Sequence, residues 1–229
     1  MREIVLDTET TGFEPAEGDR IVEIGAVELL NHMPTGRTFH EYIDPQRAMP
    51  AEAFAVHGLG DEFLAGKPLF RDIAQKFVDF VGDAKLVIHN AKFDMKFLNA
   101  ELGWINRPLL PMSQAIDTVE MARKKFPGSP ASLDALCRRF GIDNSSRTLH
   151  GALLDSEILA EVYLELIGGR QPDLVLQSNG GGDTGDAATR WTPRPRKTPL
   201  PSRLTEEEAA AHAEFVGTLG DAPVWSRFS

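Results

Sequence analysis

Over the first 169 residues the spacing of apolar side chains switches from a strand period to a helix period, and that switch constrains the fold most. EIVLD (3–7) is a short apolar run ending in an acid. IVEIGAVELL (21–30) alternates over the length of a long strand, and a third strand near Arg37–Ile43 completes an antiparallel meander. Leu69, Phe70, Ile73, Phe77, Phe80 and Val81 then fall on one helical face. LVIH (86–89) reads as a buried strand, with a helix following from about Phe93 to Leu102. Two further helical stretches cover about Val119–Phe126 and Ser132–Phe140, and a last helix runs from about Gly151 to Ile167, stopped by Gly168 and Gly169. Strands first, then strand and helix in alternation, predict an α/β fold: a mixed sheet covered by helices.

Beyond residue 169 the composition changes. QSNGGGDTGDAAT (177–189) holds nothing apolar larger than alanine and reads as a flexible linker. RWTPRPRKTPLPSR (190–203) is rich in proline and basic residues without an acid, and reads as an extended, solvated stretch. LTEEEAAAHAEFVGTL (204–219) predicts a short helix, with Thr205 as N-cap and acids in the first turn that favour the helix dipole. The expected organisation is a globular domain at 1–169, a linker at 170–203 and a small terminal segment at 204–229.

Composition excludes several classes. The net charge is -10, which argues against gripping duplex nucleic acid by basic surface alone. It leaves room for a nucleic-acid enzyme whose carboxylates are covered by cations. Cys137 is the single cysteine, so neither an internal disulfide nor a Cys-type zinc site is expected, and a reducing cytoplasm is the default. No uncharged apolar run approaches the ~18 residues of a membrane span, and MREIVLDTET lacks the layout of a signal peptide.

Four acids and a histidine carry the chemical interest. Asp7 and Glu9 stand two apart at the end of the first strand, so both point to one face. Like charges held there call for a cation or a proton; the alternative is a pair of solvated turn residues before Thr10, Thr11 and Gly12. Asp94 lies in the first turn of a helix just past a buried strand, where a dipole-favoured Asp is common. Asn90 and Phe93 add a polar donor and an aromatic at the strand's C-terminal end, where open α/β sheets bind ligands; Phe93 also suits the core. His150 and Asp155 lie in LHGALLDSE at the start of the last helix. Apolar neighbours surround Asp155 and no Lys or Arg lies nearby in that helix, so it needs a metal or a distant partner.

The blocks DTETTG (7–12), HNAKFDMKFL (89–98) and HGALLD (150–155), in that order, resemble the DEDDh group of 3′→5′ exonucleases. The resemblance covers about residues 2–167 and implies a ribonuclease-H-like fold. It implies two divalent cations, Mg²⁺ or Mn²⁺. Asp7, Glu9 and Asp155 would hold one, Asp7 would bridge to the second, and Asp94 would reach the second through water. His150 would be the general base, a role suited to a group that exchanges protons near neutral pH.

Within the group the chain is most similar to the proofreading subunits of bacterial DNA polymerase III. PAEAFAVHGL (50–59) resembles a segment of theirs in which a glutamate and a histidine contact the terminal nucleotide, here Glu52 and His57. The implied substrate is a single-stranded or frayed 3′ end of DNA. The implied partners are the catalytic (alpha) subunit of that polymerase, bound by the C-terminal segment, and the sliding clamp, bound by Gln171-Pro-Asp-Leu-Val-Leu176. Two other readings stay open: an RNA-trimming 3′→5′ exoribonuclease, and a non-catalytic adaptor between polymerase and clamp. No GxxxxGK[ST], HExxH or CxxC supports another enzyme class.

Overall fold

The computed structural model describes residues 1–145, 147, 149–169 and 205–218. Strands β1 (Arg2–Thr10), β2 (Ile21–Leu30) and β3 (Met33–Tyr42) form the antiparallel meander, and β4 (Lys85–Ile88) and β5 (Ala115–Asp117) complete one sheet. Helices α1 (Ala51–His57), α2 (Asp61–Leu64) and α3 (Phe70–Val81) fall between β3 and β4. Helix α4 (Ala91–Trp104) joins β4 to β5, and α5 (Thr118–Lys125), α6 (Leu133–Phe140) and α7 (Ala152–Leu166) follow. The order across the sheet is β3-β2-β1-β4-β5, with β1 antiparallel to β2 and parallel to β4.

Each face of the sheet carries its own core. Ile4, Leu6, Ile24 and Ala26 pack with Phe70, Phe77 and Phe97 of α3 and α4. Val5, Val27 and Leu29 pack with Leu136, Ile158, Leu159 and Val162 of α6 and α7. This double cover corrects the expectation for β2: nine of its ten residues are buried, because helices lie against both sides and no face is left to water. Strand β1 also runs past the expected Asp7, since Thr8 and Glu9 keep pairing with Ile24 and Glu23 until a register shift before Thr10. Helix α1 and the short β5 have too few residues to show a period and were not expected. The last helix ends as its sequence implies: Gly168 and Gly169 have positive φ, and the Gly169 N–H donates to Leu164 O at 2.8 Å.

Helix α8 (Glu206–Gly217) belongs to a second unit and is described by itself. Thr205 caps it, as the sequence implies, with Glu208 N–H donating to Thr205 Oγ1 at 3.2 Å, and Glu208 returns the contact by accepting from Thr205 N–H at 2.9 Å. The proposed clamp peptide at 171–176, the linker and the residues after 218 lie outside the described residues.

Candidate active site

The parallel pairing of β1 with β4 ends at Val5 and Val87, just before β4 gives way to α4. Asp7 and Glu9 follow on β1, on the same face as Val5, which is the face covered by α7. Thr8 takes the opposite face and holds Asp94 of α4, donating from its N–H at 3.1 Å and from its hydroxyl at 2.8 Å. Asp94 is 3% exposed. His89 and Asn90 turn β4 into α4 in two residues, a reversal that Asn90 permits by adopting a left-handed conformation (φ 69°).

Asp155 reaches the same place because α7 presses on β2 at a glycine. A Cβ on Gly25 would lie 2.1 Å from Leu153 N and 2.2 Å from the Ala152 carbonyl carbon, so only glycine admits the helix there. The Ser156 hydroxyl donates to Gly25 O at 2.9 Å, and the Tyr163 hydroxyl donates to the buried Glu3 carboxylate at 2.7 Å. Those two bonds fix the rotation of α7 and turn Asp155 toward β1.

One cavity of about 290 Å³ is lined by Asp7, Glu9, Asp94, His150 and Asp155 together. Donor atoms of Glu9, His150 and Asp155 lie within 4.8 Å of one another, close enough to share an ion. Burial, followed by the charges of Asp94, Glu9 and Asp155, raises the Asp7 carboxyl well above its ordinary range. Glu9 is pushed up to about 8 by burial and then by Asp155 and Glu23. Burial lifts Asp94 to about 7 against the opposing bonds from Thr8. A site that holds several acids under mutual repulsion is one that a hard divalent cation would relieve, and its oxygen donors fit such an ion.

Asp155 behaves differently, and the reason was not visible in its own helix. Burial would raise it, but contacts from His150 and Arg147 outweigh burial and lower it. Arg147 Nε and Nη2 donate to the two Asp155 oxygens at 2.5 and 2.8 Å. The distant partner of Asp155 is therefore an arginine from the preceding loop, eight residues upstream, and Arg147 Nη2 also lies 2.7 Å from His150 Nδ1.

A second cavity of about 480 Å³ shares Thr8, Glu9 and Phe93 with the first and is also lined by Glu52, Val56 and His57. Glu52 and His57 are thus brought beside the carboxylates by α1. His57 Nδ1 accepts from Leu59 N–H at 3.0 Å. Burial holds His57 below its ordinary pKa, partly offset by the Thr10 backbone. Phe93 is both wall and core: it lines the two cavities and packs against Phe97 with ring centroids 5.0 Å apart. Phe13, 79% exposed at the mouth of the second cavity and edge-on to Phe93, is a further wall residue that no motif or period marks in the sequence. Asn90 is not brought in. It lines a neighbouring cavity with Lys92, Asp117 and Arg123, and its evident role is the β4–α4 turn.

Comparison with known proteins agrees with this geometry. The family model described as exonuclease matches residues 4–163. DNA polymerase III subunit epsilon of Rickettsia felis is 50% identical over 222 residues, spanning 96% of this chain and 97% of that protein. The corresponding protein of Escherichia coli K12 is 44% identical over 235 residues, spanning 98% and 97%. The chain belongs to the exonuclease family, in its DNA polymerase III epsilon branch. It is a 3′→5′ exonuclease. This exonuclease superposes on exonuclease X in complex with 5′ overhanging duplex DNA with TM-score 0.57 and 26% identity, covering 72% of this chain and 90% of that one. The nuclease domain of 3′hExo, a DEDDh family member bound to rAMP, gives TM-score 0.62 over 72% and 91% of the two chains; at 20% identity it supports the fold alone. The exonuclease fold thus accounts for the mixed sheet, and among the described residues no helix is long and apolar enough to cross a membrane.

Proposed function

We propose that this exonuclease removes mispaired nucleotides from the 3′ end of DNA as the proofreading subunit of a bacterial replicative polymerase. The observation that carries the reading is the convergence of Asp7, Glu9, Asp94, His150 and Asp155 on one cavity, beside a second cavity lined by Glu52, His57 and Phe93. Asp7, Glu9 and Asp155 would hold one Mg²⁺ or Mn²⁺, and Asp7 and Asp94 a second. When bound, such a pair of ions supplies an activated water and stabilises the charge on the attacked phosphate and the leaving 3′-oxygen.

The chain's own groups do the rest. Thr8 fixes Asp94, and the contact of α7 with Gly25 sets Asp155. His150 is half-exposed at the cavity rim, where its ring can take a proton from the attacking water. Glu52, His57 and Phe93 would seat the terminal nucleotide without a base code. Discrimination then comes from fraying, because an unpaired 3′ end is cheaper to melt into the site. With a net charge of -10, the protein depends on its cations to attract the phosphate.

Residues 1–169 form the exonuclease domain in this reading, 170–203 a linker and 204–229 the segment that docks on the polymerase alpha subunit. The clamp would bind Gln171–Leu176. Helix α8 supports docking through the exposed Phe215, and a role in replication would locate the protein in the cytoplasm. The test is hydrolysis of a 3′-mispaired primer–template, a matched one and a short RNA, each with Mg²⁺ and with EDTA. Release of 3′ nucleotides fastest from the mispaired DNA, and none in EDTA, is expected. RNA as the better substrate would replace proofreading with RNA trimming.

A further inference from the structure

Arg147 lies in the middle of the carboxylate cluster, forked onto Asp155 and 2.7 Å from His150 Nδ1. Its side chain is 9% exposed and that of Asp155 is 5% exposed, so the pair is shielded from water. The two-pronged contact uses both Asp155 oxygens, and Nη1 reaches Asp134 on α6 at 2.9 Å. A guanidinium fork and a cation both want those oxygens, and a fork that fills both excludes direct ligation by an ion. Asp134 is a ready alternative partner: its side chain is 51% exposed and already touches Arg147 from the side away from Asp155.

We propose that Arg147 is an exchangeable counter-ion of the metal site. It covers Asp155 in the metal-free protein, gives up that carboxylate when a divalent cation binds, and stays tethered through Asp134. The inference rests on the reading of Asp155 as a metal ligand. It assigns Arg147 a positioning role with two consequences. The arginine relieves the crowding of acids before metal arrives, and it weakens metal binding by the amount that metal weakens its own hold, since coupling is reciprocal.

The test is Mn²⁺ titration of the full chain at one pH, following free Mn²⁺ by electron paramagnetic resonance, in wild type, Arg147→Gln, Arg147→Lys and Asp7→Ala. Melting of the same proteins is measured without metal and at saturating Mn²⁺. Arg147→Gln should bind Mn²⁺ at least about fivefold more tightly, the lower end of ordinary coupling energies. Its metal-free Tm should fall below wild type, and the gap should close with Mn²⁺. Arg147→Lys, which keeps the charge and loses the fork, should bind with intermediate affinity, and it alone decides the matter if the glutamine variant does not fold. Equal or weaker Mn²⁺ binding by the Arg147 variants, or a Tm gap that persists with metal, would overturn the exchange while leaving the metal site intact. Wild type binding no more Mn²⁺ than Asp7→Ala would overturn the metal site itself, and the exchange with it.

Discussion

At the scale of single residues, the acids of this site are held by neighbours that do no chemistry. Thr8 gives Asp94 two hydrogen bonds, and Thr8→Val keeps the one from the backbone but loses the one from the hydroxyl, so activity should fall by about 10- to 100-fold, the usual cost of losing a support for a metal ligand. Steady-state rates on a mispaired primer check this, with circular dichroism to confirm the fold. The raised carboxyls make a second prediction. Glu9 is pushed to about 8, Asp94 to about 7, and Asp7 is raised as well, whereas unfolded carboxyls titrate near ~4. The folded protein therefore keeps protons that the unfolded chain has already lost. The stability they confer is complete below about 4 and is lost as pH rises through 7 to 8. Metal-free Tm should fall from pH 6 to pH 9, and the Tm gained by adding Mn²⁺ should grow over the same range. A metal-free Tm that rises over that range would show the acids to be ionised in the folded state. The sequence made these acids legible as three ordered blocks that resemble a known exonuclease group, since a single acid at a strand end or helix start has other reasons to be there. It did not reveal Arg147, whose contact with Asp155 is made by loop geometry rather than helical spacing.

At the scale of elements, β2 and α7 set the precision of the site. Gly25→Ala would place a methyl group against the Ala152–Leu153 backbone, which has no flexible side chain to yield. We expect a stability loss of about 1–3 kcal/mol from overpacking. Activity should fall on the order of 10²-fold as Asp155 is displaced. Urea melts and initial rates report the two effects separately. The β4–α4 turn offers a contrasting case. Asn90→Ala should cost about 1–2 kcal/mol for its left-handed backbone, while Asn90→Gly should keep both stability and rate. A rate loss in Asn90→Gly at unchanged stability would return Asn90 to substrate binding. Elements with a full period, such as α3 and β2, were readable from sequence to within a residue. The burial of both β2 faces was not, because it depends on which helices return to cover the sheet. Helix α1, which carries Glu52 and His57, is seven residues long and was legible only through its resemblance to a known segment.

At the scale of the whole molecule, the proposed reading assigns exonuclease chemistry to the first 169 residues and recruitment to the tail. A chain ending at Gly169 should hydrolyse a short single strand at close to the full rate and lose its polymerase-dependent stimulation, as size-exclusion chromatography with the alpha subunit and paired rate measurements would show. Among the described residues, both cores lie within residues 4–166. The proposed division rests on a change of composition after Gly169, and the proposed partners rest on the resemblance alone, because a short peptide or helix carries little information about what it docks on. The central claim is that Asp7, Glu9, Asp94 and Asp155 form one divalent-cation site beside His150. Crystals grown with MnCl₂ and a nucleoside monophosphate, measured at the manganese edge, test it directly. Two anomalous peaks about 3.5–4 Å apart among these four carboxylates are the expected result. Manganese bound elsewhere, with the four acids left protonated or paired to Arg147, would contradict it.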